Sequence, residues 1–170
     1  TCYIVISGNK GMCGSFNTEL VSFFVDAVSK DENRIVISCG KKAAELLEKN
    51  GIAVNRSFVF SDVPSYAEAA ELFSFLRELL EEKKLSAVKA VYPEYKNMIK
   101  QSPVCRDLFE PQGSAQTEKE TLFVPDREMV LSGFMQKVVP CLVYKKILET
   151  ALGAQAATLT TMRSAYDTAS

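Results

Sequence analysis

Gly8-Asn9-Lys10-Gly11-Met12-Cys13-Gly14-Ser15 follows directly on the apolar run 2–7. Three glycines, a lysine and a thiol behind a strand-like run are the ingredients of a phosphate cradle or of a reactive cysteine. The spacing fits neither of the two common nucleotide signatures. Counted from Gly8, the second glycine of G-x-x-x-x-G-K-[ST] falls on Cys13 and Lys10 comes too early, while G-x-G-x-x-G finds only its second half in Gly11 and Gly14. A looser anion site stays open, because a loop running into a helix start presents free backbone N–H groups. Cys13 near a helix start and close to Lys10 has the setting of an activated thiol. The chain contains no histidine, however. That removes Ser-His and Cys-His pairs, imidazole bases and histidine metal sites together. Cys13 is left with redox chemistry and no second cysteine near it in sequence. The spacing C-x5-R fails too, with Glu19 six residues after Cys13 and Pro111 six after Cys105. We expect no catalytic residue, no metal and no cofactor, and read the loop as a turn or contact element.

Other charged groups read as surface. Glu81-Glu82-Lys83-Lys84 is a solvated helix end, and Lys41-Lys42 opens a helix against its macrodipole. Tyr92 and Tyr95 at a strand end read as packing rather than base stacking. The five cysteines are scattered and never form C-x-x-C, which suits reduced thiols that mostly fill the core. A net charge of -1 with dispersed lysines and arginines suggests no face for nucleic acid or anionic lipid. No apolar run is long enough to span a bilayer, and no signal-peptide pattern opens the chain.

The loop needs a frame, and the periodicities supply one. At 170 residues, 47% of them apolar, one domain with a single core is the simplest reading. Residues 3–7, 34–38, 52–60 and 88–92 read as buried strands. Between them lie helices from Asn17 or Thr18 to about 30, over 41–50 with Gly51 closing it, and from the capping box Ser65-x-x-Glu68 to about 84. Strands at 104–110 and 121–124 flank a polar loop at 112–120. Asp126 then caps a helix from 127 almost to 170, with Pro140 expected to kink or break it. Alternating strands and helices imply an α/β fold in three layers: a mostly parallel sheet of about five strands, helices on both faces, and a long C-terminal helix. We divide it into a globular part, 1–126, and the helix, 127–170. The chain opens at once on a core strand and stops in mid-pattern on that helix. Ala151, Ala154, Ala156, Ala157, Ala165 and Ala169 along it suggest close approach by another helix in a coiled coil, against the plainer alternative of a frayed terminus.

At this point the residues resemble a family. The loop is similar to the S-D-[RK]-G-L-C-G-x-x-N segment of the gamma subunit of F-type ATP synthases, with Lys10, Gly11, Cys13, Gly14 and Asn17 matching and Met12 in place of leucine. Residues 153–169 resemble that family's C-terminal helix at Ala157, Met162, Ala165 and Ala169, and Pro125-Asp126 resembles its P-D before a helix. Asn9 stands where the family has aspartate, Ala154 where it has glutamate and Thr158 where it has arginine. The resemblance implies a central-stalk rotor subunit that is not itself a catalyst, coupling ion flow through a membrane ring to rotary ATP synthesis or hydrolysis. It implies alpha, beta and epsilon subunits and a ring of c subunits as partners, no nucleic acid, and a peripheral place on the cytoplasmic face of a bacterial membrane, held there only through the complex. It further implies subunit contacts at Lys10, Gly11, Met12, Cys13, Gly14, Met162, Ala165 and Ala169, with Cys13 as packing. Shaft helices beyond both ends of the present chain would complete the subunit. A stand-alone α/β nucleotide- or anion-binding protein, or a diverged gamma-like paralogue, is the alternative.

Overall fold

The computed structural model describes residues 1–28, 33–81, 87–97, 100–109 and 127–169. Strand β1 (Cys2–Ile6) is followed by helix α1 (Phe16–Val28), strand β2 (Ile35–Cys39), helix α2 (Lys41–Lys49) and strand β3 (Arg56–Phe58). Helix α3 (Tyr66–Glu81) leads to strands β4 (Val88–Tyr95) and β5 (Gln101–Phe109), and helix α4 (Arg127–Ala169) ends the described chain. The five strands lie in the order β3-β2-β1-β4-β5, all parallel except the antiparallel β4–β5 pair. The expected three-layer α/β architecture is present.

Alternation along β1 explains why both faces are covered. Cys2, Ile4 and Ile6 enter one core with Ile37, Leu72, Leu76, Ala90, Tyr92, Val143 and Ile147, supplied partly by α3 and α4. Tyr3 and Val5 point the other way, into a core with Leu20, Phe24 and Leu47 from α1 and α2. A central parallel strand buried on both sides must be apolar throughout, which is what CYIVI provides. Each such buried side chain contributes roughly 1.5–3 kcal/mol against the unfolded chain.

Several boundaries differ from the sequence reading for local reasons. β3 is shorter than residues 52–60, because Asn55 substitutes for a strand residue. Its backbone N–H donates to the Val36 carbonyl and its Oδ1 accepts from the Val36 N–H, both at 2.8 Å. β4 and β5 run longer than expected. Pro93 and Pro103 face each other in the register, so their missing N–H groups share one row, and among the described residues β5 is an edge strand, where proline is tolerated. α1 begins at Phe16, one residue before the expected cap. Thr18 donates to the Ser15 carbonyl inside the first turn, and Asn17 turns to the loop instead. The α3 capping box is present as read: Glu68 N–H donates to Ser65 Oγ at 3.2 Å and Ser65 N–H to Glu68 Oε2 at 2.7 Å. α4 runs through Pro140 without a break. The expected strand at 121–124, the loop at 112–120 and the Asp126 cap lie outside the described residues.

Candidate functional site: the glycine loop and the helix it grips

Loop 8–15 joins the carboxyl end of β1 to α1, and one buried side chain organises it. Asn17 Oδ1 accepts from Gly8 N–H at 3.1 Å, while its Nδ2 donates to the Lys10 carbonyl at 3.3 Å and to Cys13 Sγ at 3.1 Å. The Cys13 thiol in turn donates to the Lys10 carbonyl at 3.7 Å. Gly14 takes a φ of 59° and Met12 one of 63°. Glycine adopts that left-handed conformation freely, whereas methionine pays roughly 1–2 kcal/mol for it. Met12 nonetheless stands out from the loop, 73% exposed.

The base of the loop also caps α2. Ser7 Oγ accepts from Ala43 N–H at 2.8 Å, the Gly8 carbonyl from Lys42 N–H at 3.3 Å, and Asn9 Oδ1 from Lys41 N–H at 3.2 Å. Asn9 Nδ2 donates to the Phe60 carbonyl, a bond an aspartate there would have no proton to make. The two lysines at the α2 start are thereby explained: α2 has no acidic first turn and no side-chain cap from Gly40, and borrows its acceptors from the neighbouring strand end. Lys42 also pairs with Glu45 at 2.6 Å.

These bonds bear on an anion at the start of α2; at the start of α1, into which the loop runs, the Phe16 N–H donates to the Cys13 carbonyl at 3.3 Å and the Glu19 N–H to the Ser15 carbonyl at 2.8 Å. The three amides that α2 could offer an anion already have partners within the chain. Beside the loop lies a cleft of about 390 Å³, walled by Ile6, Phe60, Ile147, Ala154 and Leu159. Among the described residues its one ion pair, Lys10 with Asp62, is already satisfied, so no uncompensated cation among them awaits a phosphate there. Cys13 is buried beneath the loop, and the Lys10 ammonium turns to Asp62. Burial pushes the Cys2 thiol up to about 12, and burial likewise raises Cys39 and Cys105. Among the described residues no cluster of three or more Cys, Asp or Glu is arranged to hold a metal ion.

What the geometry does supply is a close joint with α4. A Cβ placed on Gly8 would stand 3.1 Å from Ala154 Cβ, one on Gly153 would stand 3.3 Å from Phe16 Cε2, and one on Gly14 would stand 3.3 Å from Thr161 Oγ1. Small residues on both sides let the helix lie against the loop at backbone distance. This corrects part of the alanine reading: Gly153 and Ala156 are buried and Ala154 half-buried against the chain's own domain, not turned to another helix. Met162, Ala165 and Ala169 lie on the next two turns and are exposed. Of the expected contact residues, Lys10, Gly11, Met12 and Gly14 thus form one exposed ridge over buried Cys13, with α4 beside it. Ser7 and Asp62 were not singled out by motif, and Asn9 only as a departure from the family's aspartate. Asp62 lies 52 residues from Lys10, beyond the reach of any spacing rule.

The comparison with known proteins decides the family. The family model described as ATP synthase matches residues 1–170. This chain belongs to the ATP synthase family. The gamma chain of the ATP synthase of Desulfitobacterium hafniense is 28% identical over 170 residues, covering 98% of this chain and 60% of the relative. That of Desulforamulus reducens is 26% identical over 168 residues, covering 96% of this chain and 59% of the relative. The chain thus spans about 60% of the length of these curated gamma chains. A chain in the cryo-EM structure of the central stalk and c-ring of the Tetrahymena thermophila mitochondrial ATP synthase superposes with a TM-score of 0.78 at 18% identity, covering 97% of this chain and 75% of that one. A chain of the Euglena gracilis mitochondrial ATP synthase rotor gives 0.72 at 18%, covering 96% and 65%. The gamma-chain fold of this ATP synthase family member is therefore the one read from its motifs.

Proposed function

We propose that this chain is the globular body and the beginning of the C-terminal shaft helix of a rotor subunit in the central stalk of an F-type ATP synthase. In this reading residues 1–126 are the body and 127–170 the start of the shaft. The observation that carries it is the outer face of α4. Leu148, Leu152, Leu159, Met162 and Tyr166 are all exposed there, Leu159 at the rim of the cleft, at intervals of four, seven, three and four residues. That is the heptad spacing of a coiled-coil seam, on a helix whose opposite face is already committed to the sheet. The family match, and the gamma-chain names of the relatives, agree with it.

The rotor performs no bond chemistry of its own. Its work is to turn an asymmetric shaft inside a ring of alpha and beta subunits, so that each catalytic subunit meets a different surface in turn. Such coupling needs contacts that differ between rotor positions and a body stiff enough to carry torque. A sheet close-packed on both faces has that stiffness. The epsilon subunit and the c-ring bind the body, and the ridge Lys10, Gly11, Met12 and Gly14, with Met162, Ala165 and Ala169, faces the head. Among the described residues no helix is long and apolar enough to cross a membrane; in this reading attachment is through the complex, on the membrane's cytoplasmic face. Whether H+ or Na+ drives the rotation is chosen in the membrane ring.

The test is affinity capture from native membranes of the full-length gene product, tagged away from its helices. Alpha, beta and epsilon chains should arrive in fixed stoichiometry with ATPase activity. Recovery of the tagged protein alone, or with soluble enzymes, overturns the reading.

A further inference from the structure

We propose that Asn17 is a positioning residue that holds Met12 outward as an apolar anchor for a concave, apolar pocket on the stator surface. The inference rests on the rotor reading and deepens it: it names which side chain of the loop binds and which one holds it in place.

Met12 combines features that packing alone does not require. It is a large apolar side chain, 73% exposed, on a backbone of φ 63° that costs a non-glycine residue free energy. A solvent-facing turn with this geometry is satisfied more cheaply by glycine or asparagine. Gly14, two residues on, shows the cheaper solution in the same loop. Strained backbone persists where the surroundings over-determine it, and it gathers at sites of contact. The surroundings here are the Asn17 amide. Its Oδ1 fixes the start of the loop at Gly8, and its Nδ2 fixes the flanks of Met12 at the Lys10 carbonyl and the Cys13 sulfur. Asn17 is itself buried in the first turn of α1, so the loop is tied to a rigid element rather than to solvent. The partner that suits the result is apolar and concave. Methionine is unbranched, adapts to irregular pockets and gains by leaving water. Lys10 does not compete for this role, since its ammonium is turned to Asp62.

The test is a double-mutant cycle on the affinity of the full-length subunit for the alpha/beta head, with the folded fraction of every variant measured alongside. Met12→Ala should weaken binding at least about tenfold, as truncation of a central anchor does. Asn17→Ala should weaken it comparably, and the double variant should bind no more than about threefold worse than either single one, because an unpositioned anchor has little left to lose. Met12→Leu should restore affinity to within about threefold, since it keeps the apolar volume. Effects of Met12→Ala and Asn17→Ala that multiply would overturn the positioning role. An unchanged affinity for Met12→Ala beside a tightly binding wild type would overturn the anchor. If the wild type itself does not bind the head, the rotor reading fails instead, which keeps the two failures distinguishable. Should Asn17→Ala not fold, Asn17→Asp serves: it keeps the acceptor for Gly8 and loses the donors, and it should show the same non-additivity.

Discussion

Glycines that look alike in the chain do very different work. Gly11 and Gly51 have nothing within 4 Å of where a Cβ would stand, whereas a Cβ on Gly40 would lie 2.4 Å from the Ser7 carbonyl oxygen. Gly40 also has φ 102°, so an added methyl group meets strain and backbone together. Gly40→Ala should therefore lower unfolding free energy by about 3 kcal/mol or more, while Gly51→Ala, strained at φ 73° but uncrowded, should cost only about 1 kcal/mol. Chemical denaturation of the two variants decides this; equal losses would mean that the Gly40–Ser7 approach is not tight in solution. Residue identity alone does not separate these positions, because the crowding around Gly40 comes from a strand end 33 residues earlier. The same limit hid the partner of Asn9, which donates to Phe60 across 51 residues. Asn17 was legible as a motif position, yet only its three partners show why an amide rather than a carboxylate stands there.

Elements were legible wherever their signals are local. The serine-to-glutamate spacing at the start of α3 is such a signal, and both reciprocal bonds form. The Ser65 and Ser61 backbone N–H groups, with their hydroxyls, hold the Glu68 carboxyl down to about 2. A carboxylate whose pKa is lowered by folding stabilises the fold above its ordinary value of 4.5 and loses that contribution as pH falls through about 2. The stability gap between wild type and Glu68→Gln should thus be widest above pH 4.5 and close as pH approaches 2, followed by thermal melts across that range. A gap that stays constant with pH would show that the charge plays no part. β3 was less legible because its pairing begins with a side chain, Asn55, that imitates backbone. The alanines of α4 were read for one partner, and the chain's own domain claims Ala154 and Ala156. Helical period gives the faces of a helix but not which one the rest of the chain will claim.

At the scale of the whole molecule, α4 divides its surface between the sheet and the outside. Val143, Ile147 and Ala156 are buried in the domain, and the outer leucines are exposed. Replacing Leu152 and Leu159 together by lysine should change the stability of the present chain by no more than about 0.5 kcal/mol per site, as for other exposed positions. On the proposed rotor reading, the same pair in the full-length subunit should sharply reduce recovery in complex with the head, because two charges would enter the proposed coiled-coil seam. A large loss of stability in the present chain would mean that this face packs inward. The three-layer plan was readable because alternating apolar strands and amphipathic helices leave few other arrangements. How α4 docks was not, since it depends on Gly8, Gly14 and Gly153 being small at once.

That joint bears on how twist travels. Gly8 against Ala154 and Gly14 against Thr161 meet through atoms at or next to the main chain, and Gly153 meets the rigid ring edge of Phe16. Long side chains yield by rotating about several soft bonds; contacts of this kind have almost none. The coupling between body and helix is accordingly a spline rather than a spring. In the proposed rotor, elastic energy would then collect where the domain's support stops, in the helical turns beyond Thr161.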